Sequence, residues 1–238
     1  MGPKSMLAVG ILAGGLGTRI SEETHDKPKP MVEINGTPIL GHLLKSLTAK
    51  GANTFYIAVG YKGEVIEEWI KKSQFSHQVK VVQTGLSSMT GIRVRKLIET
   101  SGEDRMLITY GDGLANISIR KLCEFHAAHG KLATVTAVHP PARFGHIEMQ
   151  GDRVIKFNEK LQSDEGWING GFFILENRVR EYIVDETKPF EVEALPQLAR
   201  EGNLMAFKHN GFWKPMDTLR DKKELESLAQ QSILPWLE

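Results

Sequence analysis

A glycine-rich segment near the amino terminus carries the residue types that bind phosphate. Residues 8–13 predict a buried strand, and Gly14, Gly15 and Gly17 follow it directly. Glycines without a Cβ let backbone N–H groups approach an anion closely. Basic side chains just beyond the glycines can add charge-assisted hydrogen bonds to phosphate oxygens; they are Arg19, Lys27 and Lys29. The segment therefore predicts a cradle for a polyphosphate.

Two common phosphate-binding fingerprints do not describe this loop. A P-loop needs Gly-Lys-Ser/Thr after its second glycine, whereas Gly17 is followed by Thr18 and Arg19. A dinucleotide fingerprint needs a third glycine three residues after Gly17, where Ile20 stands. A glycine turn without a chemical role is the alternative interpretation of the loop taken alone.

Two carboxylates far apart in the sequence have the chemistry of metal ligands. Asp112 lies between two glycines directly after an apolar strand, and Asp217 precedes the last amphipathic helix. Mg²⁺ usually binds through one or two carboxylates together with substrate phosphates and water. The alternatives are an Asp-Gly turn for Asp112 and a helix N-cap for Asp217, and the N-cap is favoured when Asp217 is considered alone.

Further polar groups follow other predicted strands. Residues 85–93 open a helix, and their hydroxyl and backbone groups could bind a base or ribose while Arg93 reaches a phosphate. A polar loop ending in an N-cap would look alike. Lys160, beside Glu159, could bind a phosphate monoester. Asn169 precedes two glycines and could both donate to and accept from sugar hydroxyls.

Composition indicates an ordered globular protein whose charge acts locally. The 238 residues are 41% hydrophobic, which is enough for a large core. Lysine and arginine number 30 against 29 acidic residues, so no global field favours nucleic acid or an anionic membrane. The single cysteine, Cys123, fits a core position better than a nucleophile. No apolar run reaches the roughly 18 to 20 residues that span a bilayer, and we expect a cytoplasmic protein.

Apolar runs typical of strands alternate with helical patterns through the first half of the chain. Strands are predicted at residues 8–13, 55–59, 79–83, 106–110 and 133–138. Such alternation is typical of βαβ units on a mostly parallel sheet with helices on both faces. After residue 141 the pattern changes to a hairpin at 147–150 and 153–157, a strand at 167–175 and helices near 176–184, 192–201 and 219–231. Ligands are expected outside the carboxyl ends of the strands.

Six stretches, in order along the chain, resemble the sugar-phosphate nucleotidyltransferases. They are residues 12–19, 27–31, 110–113, 159–160, 169–173 and 213–218. Within that family the likeness is to the branch that uses CTP and glucose 1-phosphate, whose pattern also contains residues 87–91 and 143–145. The resemblance covers nearly the whole chain.

The resemblance implies a Rossmann-like α/β fold with a mixed, mostly parallel sheet flanked by helices and a small β-rich substrate region. It implies a single domain over residues 1–238, with a nucleotide-binding half over about 6–138 and a sugar-phosphate-binding half over about 139–238. The implied reaction is Mg²⁺-dependent and joins CTP and a sugar 1-phosphate, α-D-glucose 1-phosphate in this branch, to give a CDP-sugar and pyrophosphate. A homo-oligomer is implied as well.

The resemblance also assigns roles to individual residues. Asp112 and Asp217 would hold Mg²⁺, and together with Arg19 and Lys29 they form the predicted catalytic set. The predicted nucleotide contacts are Leu12, Ala13, Gly14, Gly15, Gly17, Thr18, Arg19, Lys29, Ser87, Ser88, Thr90, Gly91 and Gly111. The predicted sugar-phosphate contacts are Arg93, Glu159, Lys160, Asn169 and Gly170.

Two departures from the family pattern bear on the acceptor. The chain is short between residues 69 and 79, where the branch carries an insertion, and Leu86 stands in place of a usual aspartate. Another hexose or heptose 1-phosphate, or a non-sugar phosphate or phosphonate, is therefore an alternative acceptor. An alternative from a different class is a non-catalytic regulatory subunit that binds nucleotide sugars, although the presence of Asp112, Asp217, Arg19 and Lys29 argues against it.

Overall fold

A computed structural model describes residues 7–15, 17, 20–140, 146–158, 166–231 and 234–238. Its strands are β1 Ala8–Leu12, β2 Glu33–Ile34, β3 Thr37–Pro38, β4 Phe55–Val59, β5 Val79–Gln83, β6 Arg105–Tyr110, β7 Gly113–Ala115, β8 Ala133–Val138, β9 His146–Gln150, β10 Arg153–Asn158, β11 Ile168–Glu176, β12 Leu204–Lys208 and β13 Trp213–Pro215. Its α-helices are α1 Ser21–Thr24, α2 Ile39–Ala49, α3 Gly63–Lys72, α4 Thr90–Ser101, α5 Ile119–His129, α6 Ala194–Arg200 and α7 Leu219–Ala229. Short 3₁₀ helices lie at Lys29–Met31, Asn177–Tyr182 and Pro235–Leu237.

Seven of the described strands form one mixed sheet. Their order is β12-β8-β11-β6-β1-β4-β5. Every neighbouring pair is parallel except the two that involve β11, which runs antiparallel to both β6 and β8. The α/β fold with a mostly parallel sheet is therefore confirmed. Because β11 is reversed, its first residues lie at the edge where the parallel strands end.

Buried residues form two clusters, one on each face of this sheet. In β1, Val9 and Ile11 belong to the cluster that contains α2, whereas Ala8 and Leu12 belong to the cluster that contains α4 and α6. This alternation follows from the two-residue period of a strand whose faces are both covered. Gly10 has no side chain, and a Cβ there would lie 2.5 Å from the Ile108 Cδ1 atom.

Three small two-stranded sheets complete the described structure: β2 with β3, β7 with β13, and β9 with β10. The β9–β10 pair is the hairpin that the sequence predicted after residue 141. The β7–β13 pair joins distant parts of the chain in antiparallel register, with Gly113 opposite Pro215. That pairing brings the residues just before β7 close to those just after β13.

Within the described ranges, no helix is both long and apolar enough to cross a membrane. The connection from α3 to β5 contains only residues 73–78. The division of the chain into a nucleotide-binding half and a sugar-phosphate-binding half stays a prediction.

Candidate active site

Lys29 joins the two carboxylates that the sequence singled out. Its Nζ donates to Asp112 Oδ2 at 2.6 Å and to Asp217 Oδ1 at 2.7 Å. The Lys29 side chain is 11% exposed, and those of Asp112 and Asp217 are 29% and 22% exposed. Two carboxylates separated by about a hundred positions along the chain therefore lie around one cationic nitrogen at the rim of the sheet.

Backbone pairing explains how the two carboxylates meet. Asp112 precedes β7 and Asp217 follows β13, so the β7–β13 ladder places both at the same end. The Met216 N–H extends this pairing by donating to the Asp112 carbonyl oxygen at 2.8 Å. On the other side, a Cβ on Gly111 would lie 3.1 Å from Pro30 Cγ, so the absence of a side chain lets the Lys29 segment pack closely.

The sequence favoured an N-cap for Asp217 taken alone, and that interpretation is wrong. The N-cap of α7 is Thr218, whose side chain accepts from the Asp221 N–H while the Asp221 carboxylate accepts from the Thr218 N–H at 2.9 Å. This reciprocal arrangement is a capping box. Because Thr218 caps the helix, the Asp217 carboxylate is directed to Lys29 instead.

The electrostatics of this group favour a charged lysine. Burial lowers the pKa of Lys29, but the charges and hydrogen bonds of Asp112 and Asp217 raise it, and the net shift is upward from the usual value. The ammonium therefore stays charged throughout the physiological pH range and offsets part of the negative charge of the pair.

The donor set fits a divalent cation that substrate helps to bind. Asp112 and Asp217 each have an oxygen within 2.7 Å of the same nitrogen, so a cation already lies between them. Among the described residues, no three His, Cys, Asp or Glu side chains come together as a metal-binding group. Two carboxylates completed by phosphate oxygens and water are typical of Mg²⁺ sites, whereas a protein-only cage would need more ligands.

The described glycines of the first loop differ in how much space surrounds them. A Cβ on Gly15 would meet no atom of the described residues within 4 Å, so this part of the loop is open toward them. Gly17 has a φ of +66°, and a Cβ there would lie 3.1 Å from Lys29 Cβ. The loop thus has an open side where an anion can approach, and its end packs against the segment that carries Lys29.

Gly14 faces inward, toward Arg93. A Cβ on Gly14 would lie 1.2 Å from Arg93 Nη1, and one on Gly60 would lie 2.8 Å from the Gly85 carbonyl oxygen and 2.9 Å from that of Gly14. Arg93 is 4% exposed, and its Nε and Nη2 donate to the Ser88 carbonyl at 2.9 and 2.8 Å. Its Nη1 has no hydrogen-bond partner among the described residues. A buried guanidinium whose Nη1 NH2 group has no partner among the described residues therefore lies where the loops after β1, β4 and β5 converge.

The predicted hydroxyl residues after β5 use their side chains internally. Ser88 Oγ donates to the Thr84 carbonyl, and Thr90 Oγ1 donates to Glu191 Oε2 at 2.6 Å. Ser87 is exposed, and Gly91 lies at the start of α4. Ser87 is therefore the hydroxyl residue of this loop that stays exposed, together with the apolar side chains of Leu86 and Met89.

Asn169 lies at the same edge of the sheet. It is opposite Ala137 in β8, and the pairing shifts register between Asn169 and Phe173. Asn169 Oδ1 accepts from the Gly171 N–H at 2.8 Å, and Gly171 has a φ of +77° that favours glycine. The Gly170 carbonyl accepts from Trp213 Nε1 at 2.7 Å, so Trp213 forms part of the cleft wall. The irregular strand thus presents an amide side chain at the edge where the parallel strands end.

The structure brings most of the predicted site residues to one edge. Leu12 ends β1, Ala13 N donates to the Ala58 carbonyl and Gly111 N donates to the Leu12 carbonyl. Thr18, Arg19, Glu159 and Lys160 lie outside the described residues, so their predicted roles stay predictions. Three further residues at this edge, Gly60, Tyr110 and Glu191, were not predicted as site residues from the sequence. Glu191 follows Pro189 and Phe190 in an irregular segment without periodicity, and no signal in the sequence could have identified it.

The fold and the site define a nucleotide-binding α/β protein of the nucleotide-diphospho-sugar transferase type. The chain belongs to the nucleotidyl transferase family, whose model matches residues 8–226.

Two curated relatives from Salmonella typhi and Salmonella typhimurium, both named glucose-1-phosphate cytidylyltransferase, are each 46% identical to this chain over 249 aligned positions. The alignments cover 95% of this chain and 97% of each relative. Because 249 positions exceed the 238 residues of this chain, the relatives carry residues that it lacks. The location of that difference between residues 69 and 79 stays a prediction.

The fold has close counterparts among solved structures. HddC from Yersinia pseudotuberculosis superposes with a TM-score of 0.77 at 25% identity, covering 93% of this chain and 99% of that one. The same protein complexed with GMP-PN gives a TM-score of 0.75.

Proposed function

We propose that this protein joins CTP and α-D-glucose 1-phosphate to give CDP-glucose and pyrophosphate. The observation that carries the proposal is the convergence of Asp112, Asp217 and Lys29 beside an open glycine loop. The choice of CTP and glucose 1-phosphate is supported by the two Salmonella relatives, which match over nearly the full length of both chains.

The reaction is an in-line displacement at phosphorus. A phosphate oxygen of the sugar 1-phosphate forms a bond to the α-phosphorus of CTP, and the bond from that phosphorus to the β-phosphate oxygen breaks to release pyrophosphate. The attacking oxygen is already anionic near neutral pH, so no side-chain nucleophile is required. Alignment and charge neutralisation are therefore the main tasks of the protein.

The described residues can perform those tasks. The open side of the loop at Gly15 is proposed to bind the triphosphate through backbone N–H groups, and the buried Arg93, packed against Gly14 of the same loop, is proposed to add positive charge. Lys29 contributes a second fixed charge beside the carboxylates. Arg19 and Lys160 are proposed to complete the binding of the two polyanions. Asn169 is proposed to contact the sugar hydroxyls, because its amide both donates and accepts.

We propose Mg²⁺ as the cation, held by Asp112 and Asp217 together with substrate phosphates. The bound ion would neutralise the triphosphate and stabilise the charge that grows on the departing pyrophosphate. A homo-oligomer and a cytoplasmic location are proposed from the family resemblance and from the composition.

A matrix of nucleoside triphosphates against sugar 1-phosphates, read by pyrophosphate release, tests the proposed substrates. We expect the highest kcat/KM for CTP with glucose 1-phosphate and no release when Mg²⁺ is chelated. Preferred use of another triphosphate or another phosphate acceptor would overturn the corresponding half of the assignment. If no combination of substrates releases pyrophosphate, the alternative of a non-catalytic regulatory subunit is favoured.

A further inference from the structure

Glu191 connects the nucleotide side of the cleft to the strand that leads to the carboxylates. Its Oε2 accepts from Thr90 Oγ1 at 2.6 Å, and its Oε1 accepts from the Tyr110 hydroxyl. Thr90 is the first residue of α4, and Tyr110 ends β6 two residues before Asp112. One carboxylate therefore joins the start of α4 to the carboxyl end of β6.

The Tyr110 hydroxyl continues this connection to Asn169. Asn169 Nδ2 lies 3.5 Å from the Tyr110 oxygen, and Asn169 Oδ1 accepts from the Gly171 N–H at 2.8 Å. The Tyr110 ring packs against Gly171, where a Cβ would lie 2.4 Å from Tyr110 Cδ2. The ring is thus fixed in place by the shape of the neighbouring strand, and its hydroxyl lies between Glu191 and Asn169.

The Glu191 carboxylate determines which groups of this hydrogen-bond network donate and which accept. A carboxylate only accepts hydrogen bonds, so the hydroxyl hydrogens of both Tyr110 and Thr90 point toward Glu191. The Phe190 N–H donates to Thr90 Oγ1 at 2.9 Å, which is consistent with that orientation. Because its hydrogen is directed to Glu191, the Tyr110 oxygen can only accept from Asn169 Nδ2.

We propose that Glu191 is a positioning residue that holds the Asn169 amide in one orientation through Tyr110 and thereby sets selectivity among sugar 1-phosphates. This inference rests on the proposed function, since it takes Asn169 as a sugar contact. Without Glu191, the Tyr110 hydroxyl hydrogen is free to rotate, so the Tyr110 oxygen is no longer a fixed acceptor for Asn169 Nδ2. The orientation of the amide is then held only by the Gly171 N–H at Asn169 Oδ1, and the amide should discriminate less among sugar hydroxyls.

Glu191→Ala tests the inference, and Glu193→Ala is the matched control. Glu193 belongs to the same segment, but its carboxylate accepts from the backbone N–H groups of Val184 and Asp185 at 3.3 and 3.0 Å. The measurement is the ratio of kcat/KM for glucose 1-phosphate to that for mannose 1-phosphate and for galactose 1-phosphate, at saturating CTP. Because the ratio is taken within one preparation, a loss of folded protein leaves it unchanged.

We expect Glu191→Ala to lower at least one of the two ratios about fivefold to tenfold, the size of one hydrogen bond. Glu193→Ala should keep both ratios even if it lowers the melting temperature. Tyr110→Phe, which removes the middle of the network, should reproduce the loss, and the double variant should add no further loss.

The outcomes separate the inference from the proposed function. Unchanged ratios in Glu191→Ala and Tyr110→Phe would overturn the inference, as would equal losses in Glu191→Ala and Glu193→Ala. A wild-type protein that prefers another sugar 1-phosphate would overturn only the proposed acceptor, and the ratios are then taken relative to that sugar. A wild-type protein without pyrophosphate release would overturn both proposals.

Discussion

At the scale of single residues, Lys29 holds the site together because its ammonium group contacts two carboxylates at once. Asp112 and Asp217 lie at the same end of the β7–β13 ladder, and each accepts a hydrogen bond from Lys29 Nζ, at 2.6 and 2.7 Å. The sequence indicated each of the three residues separately. It could not show that they meet, because their contacts span 83 and 188 positions along the chain.

Gly14 and Gly15 are neighbours with opposite surroundings, which gives a matched pair of variants. Gly14→Ala places a Cβ against the buried Arg93 guanidinium, so we expect the free energy of unfolding to fall by about 1 to 3 kcal/mol. Gly15→Ala places a Cβ in open space, so we expect unchanged stability. If the open side of the loop receives the triphosphate, that Cβ should raise KM for CTP about tenfold.

Chemical denaturation and steady-state kinetics on the two variants check this prediction. A loss of stability in Gly15→Ala would contradict the open geometry. Normal KM for CTP in a stable Gly15→Ala protein would argue against the loop as the phosphate cradle.

At the scale of elements, the predicted parallel strands and the helices between them are confirmed, several to the exact residue. Phe55–Val59, Val79–Gln83 and Ala133–Val138 are three such strands. Their apolar runs are buried in the sheet, so composition alone marks them. The short strands β7 and β13 and the partly exposed edge strand β12 were not predicted. Each is defined by its pairing with a distant strand rather than by a local pattern.

The reversed strand β11 explains why Asn169 joins the site. The sequence predicted a strand at residues 167–175 in which Asn169 is followed by two glycines. It did not predict the antiparallel direction, which depends on pairing with both β6 and β8. The direction decides which end of the strand lies at the cleft.

A histidine network between α5, β8 and β11 predicts acid-sensitive stability. Thr134 Oγ1 lies 2.7 Å from both His126 Nδ1 and His129 Nε2, and His126 Nε2 lies 3.0 Å from Glu176 Oε1. Burial lowers the pKa of His126, more than Glu176 raises it, and burial also lowers the pKa of His129. Below about pH 6.5 the unfolded chain therefore binds protons that the folded protein does not.

The contribution of these histidines to the free energy of unfolding should thus be fully present above about pH 6.5 and be lost as the pH drops toward 5. His126→Gln should reduce this fall, whereas His77→Gln, which changes an exposed side chain, should leave it unchanged. The measurement is the free energy of unfolding at pH 7 and pH 5 for the three proteins. An identical pH dependence in His126→Gln would contradict the assignment.

At the scale of the whole molecule, residues 234–238 cover the core on the α2 side of the sheet. Trp236 is 0% exposed and packs against His42 and Phe212, with ring centroids 5.4 and 5.9 Å away. Its carbonyl accepts from Ser46 Oγ at 2.5 Å. Phe212 adjoins β13, so this contact supports the strand that leads to Asp217.

Trp236→Ala should therefore lower the free energy of unfolding by about 3 to 5 kcal/mol, the usual cost of emptying a buried aromatic site. Trp167→Ala is the control, because that side chain is 39% exposed and its loss should cost about 1 kcal/mol or less. Equal losses in the two variants, measured by chemical denaturation, would show that the terminus does not anchor the core.

Only part of the site could be predicted from the sequence. Motifs after the parallel strands identified the loop, Lys29 and both carboxylates, since those residues need particular types at particular positions. The internal use of the Ser88 and Thr90 hydroxyls and the participation of Glu191 depend on how separate elements pack. Such contacts leave no local pattern.

The central claim is that Asp112 and Asp217 act as one unit toward a cation and a nucleoside triphosphate. The most direct test measures Mg²⁺-dependent pyrophosphate release from CTP and glucose 1-phosphate by Asp112→Asn, Asp217→Asn and the double variant, with Asp152→Asn in the exposed β9–β10 turn as control. We expect each single variant to lose about a hundredfold or more in kcat, the double variant to lose little beyond that, and the control to keep its rate. Near-normal turnover by either single variant, at unchanged folding, would contradict the claim.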